Sequence, residues 1–268
     1  MSSDGYLTAL SAVTNALFLI AGVYIYVSLI RQISTRATPA DEARSFRLGE
    51  VILATVLISL FLLNLFVATS QSGQTMKTRD LAATALLSLG LFVFVAAFLK
   101  FRGLDVNALS GLSKLRFWRT LLTGGILLFA ACPLILLADT LTQRIFGRGS
   151  SKQEIVELFT GSQTITQRVF IILLAVALAP LVEEFIFRFF IYGVLRQYFG
   201  RAVGIVANSL LFAAVHSHLP SFVPLFVLGS CFTIAYEWSG SILVSMTMHA
   251  LFNSLTLTAL AYPEIFQQ

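Results

Sequence analysis

The stretch Val169–Tyr198, VFIILLAVALAPLVEEFIFRFFIYGVLRQY, decides how this chain is read. It is apolar enough for a bilayer interior, where a spanning helix needs about 20 mostly apolar residues. It is too long for one straight span. Pro180 predicts a kink or break, because proline has no N–H to donate and its ring clashes with the preceding turn. Glu183, Glu184 and Arg188 stand in the middle of its hydrophobic side chains. Such placement costs roughly 2.5–3.5 kcal/mol per ionisable group on insertion scales, so these residues need a cavity, a partner or a function.

Seven more apolar runs surround this one, near residues 7–30, 49–70, 81–99, 120–138, 203–217, 221–237 and 240–262. Of 268 residues 57% are hydrophobic and 12% charged, about half the charged fraction of a soluble domain. One soluble core of this size could not hide that much apolar surface. The expected fold class is all-α: a polytopic transmembrane helix bundle of eight spans, with the active-site helices in the C-terminal half. Residues 1–138 form N-terminal membrane helices, and 168–268 form the informative membrane region. Residues 139–167 read as a polar connection, with an interfacial amphipathic helix over Lys152–Phe159.

The net charge of +5 does not point to nucleic acid, because the basic residues lie in short loops between apolar runs. Lipid is the expected surrounding. Eleven Lys and Arg fall in or beside the odd-numbered loops against six in the even-numbered ones, which places the odd loops in the cytoplasm and both termini outside. Met1–Tyr6 lacks the basic start of a signal peptide, so the first run is expected to stay as a span. Cys132 and Cys231 read as small core residues and offer no disulfide framework.

Glu184 and Arg188, four residues apart, share a helix face and can pair. Glu183 points about 100° away and has no intrahelical cation. All three could form one structural cluster; alternatively Glu184–Arg188 is a scaffold and Glu183 a reactive carboxylate, suited to general-base work. Later spans contribute His216, at the end of Phe212-Ala-Ala-Val-His216, and His249 with Asn253, again four apart. Unpaired polar groups in hydrocarbon seek one another, so Glu183, His216, His249 and Asn253 are expected in one pocket. His218, before Pro220, reads as interfacial. A carboxylate and an imidazole can deprotonate water, while a second imidazole and a carboxamide stabilise an oxyanion. The same four side chains could instead hold zinc or another divalent metal, and spacing does not separate the two chemistries. Other membrane-protease chemistries lack their residues: there is no His-Glu-x-x-His, no mid-span aspartate and no buried Gly-x-Ser.

Glu183-Glu184-x-x-x-Arg188, Phe212-x-x-x-His216 and His249-x-x-x-Asn253, in order and in successive spans, resemble the CPBP family. This is the group of type II CAAX prenyl proteases and bacteriocin-processing (Abi) membrane proteases. The likeness covers about residues 165–262. It implies that Glu183 and His216 activate water, that His249 and Asn253 stabilise the transition state, and that Glu184 and Arg188 support the site. It also implies a peptide or protein substrate, prenylated or membrane-anchored in some relatives, and a multi-pass protein of a bacterial inner (plasma) membrane. Two other readings stay open: a transporter relaying protons through the Glu/His cluster, and a non-catalytic immunity protein.

Overall fold

The structure, a computed structural model, describes residues 3–35, 46–70, 78–112, 116–147, 158–162 and 164–262. Helix α1 (Ser3–Thr35) is followed by α2 (Leu48–Ser70), α3 (Thr78–Phe101), the short α4 (Val106–Ser110) and α5 (Phe117–Phe146). Then come α6 (Ile165–Leu173), a π-helical turn (Leu174–Leu178), α7 (Ala179–Glu183), a π-helical segment (Glu184–Ile191) and α8 (Tyr192–Val215). A 3₁₀ turn (Leu219–Ser221), α9 (Phe222–Ser239) and α10 (Ile242–Ala261) complete the chain, and no strand occurs among the described residues.

Seven helical stretches are long and apolar enough to cross a membrane, and the fifth, Ile165–Val215, is 51 residues long. That stretch is two spans. Gly200 lies at φ 81° and ψ 170°, outside helical geometry and in a region that favours glycine. A Cβ on Gly204 would sit 3.1 Å from the Arg196 backbone nitrogen, so the chain doubles back after Gly200. About eight helices result, as the hydropathy pattern predicts.

Two expectations need correction. Pro180 does not break the helix. The π-helical turn before it widens the spiral, with the Ala179 N–H bonded to the Leu174 carbonyl five residues back, and the break falls at Gly200 instead. Nor does the polar connection start at 139. Helix α5 runs on to Phe146, because Leu137, Leu141 and Ile145 continue an outward apolar stripe while Ala138 and Thr142 stay buried. The expected interfacial helix over Lys152–Phe159 lies largely outside the described residues. Within them, 158–160 is helical and Phe159 is buried beside Ile171, Ala175 and Leu257.

The C-terminal helices form the centre of the bundle. Helix α5 packs against α1, α9 and α10, and α8 against α2 and α9. Phe189, Phe190, Tyr192, Phe212, Phe232 and Tyr236 are fully buried there, whereas Leu10, Leu17, Leu63 and Leu87 of α1–α3 face outward, as lipid-facing side chains do. Close helix approach relies on small residues: a Cβ on Gly124 of α5 would collide with Thr247 of α10, at 2.8 Å. At the end of the bundle near Gly200, Glu237 holds Arg196 at 3.1 Å, Arg201 at 3.0 Å and the Tyr192 hydroxyl at 3.0 Å. The Gln197 amide pairs in both directions with the Phe46 backbone, at 2.8 and 2.7 Å. These contacts fix the hairpin that carries the acidic pair.

Candidate active site

Glu183 is the last residue of α7 and Glu184 the first of the π-helical segment, yet their surroundings differ. The Glu184 side chain is fully buried, while that of Glu183 is 29% exposed. Arg188 Nε lies 3.2 Å from Glu184 Oε2, and its side chain is also fully buried. The guanidinium sits 4.0 Å from the Phe212 ring centroid, with Phe232 at 5.3 Å and Phe187 at 6.0 Å. Aromatic faces favour a desolvated cation, so the cage suits a buried arginine. Gly229 leaves room for it, since a Cβ there would be 2.9 Å from Phe212 Cδ1.

Glu184 also orients a histidine. His249 Nδ1 lies 2.9 Å from Glu184 Oε1, and a carboxylate paired with Arg188 can only accept, so Nδ1 carries the proton. This leaves Nε2 directed to Glu183, 4.0 Å from its Oε2. That oxygen is itself buried and has no hydrogen-bond partner in the protein. His216 is fixed in the same way by its own helix: Nδ1 donates to the Phe212 carbonyl at 2.7 Å, which leaves Nε2 as the basic nitrogen. The Phe212 ring packs edge-on against both imidazoles, its centroid 4.8 Å from that of His216 and 6.0 Å from that of His249.

Asn253 is placed by the unusual backbone opposite it. Its Nδ2 donates to the Ala175 carbonyl at 2.7 Å. In the π-helical turn the Ala179 N–H goes to Leu174, and residue 180, which would serve Ala175 five residues on, is proline. The free carbonyl thus binds the amide, and one Nδ2 hydrogen remains for another acceptor.

Glu183, His216, His249 and Asn253 all line one cavity of about 520 Å³, walled by apolar residues such as Leu225, Leu228 and Phe252. Glu184 and Arg188 lie behind the wall. His218 is not a lining residue. Its Nδ1 bonds the Ser221 hydroxyl at 2.7 Å, and Ser221 does reach the cavity. Asp139 of α5 reaches it too. The reading of 139–167 as a connection hid this residue, although Ile135, Asp139 and Gln143 fall on one helical stripe opposite the outward leucines. Among the described residues no three His, Cys, Asp or Glu side chains converge as a metal-ligand set.

Residues 165–255, about a third of the chain, match the family described as type II CAAX prenyl endopeptidase Rce1-like. This region is similar to that family. The Rce1-like region starts with α6 and ends two residues beyond Asn253, so it contains all seven motif residues and excludes Asp139. At family level the match is to type II CAAX prenyl endopeptidases, and the helices that it covers belong to a multi-pass fold. No curated protein and no solved structure matches the chain.

Proposed function

We propose that this protein is an intramembrane endopeptidase that hydrolyses a peptide bond with water activated by Glu183 and His216. The observation that carries the proposal is the gathering of Glu183, His216, His249 and Asn253 on one cavity, with the buried Glu184–Arg188 pair holding His249 from behind. The unpartnered Oε2 of Glu183 accepts a proton from water, whose oxygen attacks the scissile carbonyl carbon. His216, basic at Nε2, shares that proton. The oxyanion meets His249 Nε2–H and the second Nδ2 hydrogen of Asn253. Glu184 stabilises the imidazolium form that can donate, much as a buried aspartate does in a hydrolytic triad. Collapse of the intermediate breaks the C–N bond, the proton passes to the departing amine, and a carboxylate and an amine leave. No step uses a metal or a covalent enzyme intermediate.

The substrate on this reading is a peptide or protein segment held at the membrane, with no requirement for a prenyl group. Leu81, Asp139, Ser221 and Thr256 line the cavity, and each lies at the helix end nearest an even-numbered loop or the C-terminus. The excess of basic residues on the opposite side puts this end of the cavity on the outer face. The test is turnover of a quenched peptide with a hydrophobic C-terminal segment by purified protein in vesicles. Cleavage that is abolished by Glu183→Ala supports the proposal. Unchanged cleavage in that variant, or proton flux without cleavage in the wild type, refutes it.

A further inference from the structure

The cavity holds a second carboxylate that the mechanism leaves unused, and it comes from outside the Rce1-like region. Asp139 is half-buried on α5 and lines the cavity together with Glu183. Gln143, one turn on, donates to its Oδ2 at 2.6 Å and holds the group in place. Asp139 has no ion pair with any described residue, and no Lys or Arg is among the residues that line the cavity. Elsewhere the buried acids do have cations: Glu50 has Arg102 at 2.9 Å, Glu184 has Arg188, and Glu237 has two arginines.

Two carboxylates in an apolar-walled cleft with no Lys or Arg on its lining concentrate a negative field within it. A peptide that presents its own carboxylate there is repelled; one that presents an ammonium or guanidinium is attracted and gains a partner fixed by Gln143. We propose that Asp139 is a specificity-determining residue that pairs with a Lys or Arg side chain of the peptide substrate, so that cationic segments are selected for cleavage. This inference rests on the hydrolytic reading above and names the substrate class for the same site.

The test uses the full-length protein in phosphatidylcholine vesicles, whose zwitterionic surface does not itself gather basic peptides. Quenched peptides of one sequence carry Lys, Gln or Glu at a single position, which is walked along both sides of the scissile bond. The readout is the ratio of kcat/KM for the Lys peptide to that for the Gln peptide. The wild type should prefer Lys by about tenfold at one position, the strength of a partly screened ion pair. Asp139→Asn should bring that ratio close to one, and Asp139→Lys should turn the preference to Glu. The wild-type preference should also weaken in high salt, which a purely structural aspartate would not cause. Cleavage that ignores charge at every position, or a Lys preference that survives both substitutions, overturns the inference and leaves the hydrolytic reading intact. Absence of any wild-type cleavage overturns both.

Discussion

Neighbouring acids with different surroundings should fail in different ways. Glu184 and Arg188 are 3.2 Å apart and both fully buried. Glu184→Gln strands a guanidinium whose terminal nitrogens have no hydrogen bonds of their own, and breaking a buried pair costs about 3–5 kcal/mol. At about 2–4 °C per kcal/mol for a chain of this size, the unfolding midpoint should fall by roughly 6–20 °C. Glu183 is 29% exposed and sits 4.0 Å from His249, so Glu183→Gln should cost no more than about 1 kcal/mol while removing turnover. The assay is thermal unfolding in detergent, followed through Trp118 and Trp238, beside peptide turnover on the same samples. A third variant sharpens it. Glu184→Gln with Arg188→Met removes the stranded charge and should regain much of the lost midpoint, because apolar replacement of a buried pair is often tolerated. It should regain no turnover, since His249 has lost the carboxylate at its Nδ1. The reasoning is refuted if Glu183→Gln unfolds as early as Glu184→Gln, or if the double variant is no more stable than the single.

Asn253→Ala should cost about 1–3 kcal/mol of stability by leaving the Ala175 carbonyl unsatisfied. The loss should shrink in a Pro180→Ala background, where residue 180 regains an N–H, and a double-mutant cycle on unfolding midpoints measures that coupling. With Cys132 and Cys231 changed to Ala, an impermeant thiol reagent applied to intact cells should label Arg144→Cys and spare Lys100→Cys; the reverse pattern would turn the cavity towards the cytoplasm. Turnover should persist after exhaustive treatment with a strong chelator, and activity lost to the chelator and restored by zinc would contradict the water-only chemistry.

Much of this architecture was legible because lipid imposes few solutions on a chain. Apolar runs of about 20 residues become helices whatever their detailed order, so the spans could be counted from hydropathy alone. The acidic pair was legible for the opposite reason, since Glu183, Glu184 and Arg188 are costly where they stand. What escaped the reading depends on backbone detail and on neighbours distant in sequence. The π-helical turn that carries the chain past Pro180 also frees the carbonyl that seats Asn253, and periodicity cannot report that. Asp139 looked like the start of a loop because its neighbours Thr140, Thr142, Gln143 and Arg144 are polar. Only the stripe of Leu137, Leu141 and Ile145 signals that the helix continues. The aromatic cage on Arg188 assembles rings from the π-helical segment, α8 and α9, and no local pattern links them.

Kinetic coupling between Glu183 and His216 tests most directly whether they act on one water molecule. Groups that act as a unit lose their effect together rather than independently. Glu183→Gln and His216→Ala should each lower kcat for the quenched peptide by about 10²–10⁴-fold, the usual contribution of a positioned acid or base. The double variant should then be scarcely slower than the worse single. Losses that multiply, or a Glu183→Gln enzyme that turns over at the wild-type rate, would contradict the shared-water site.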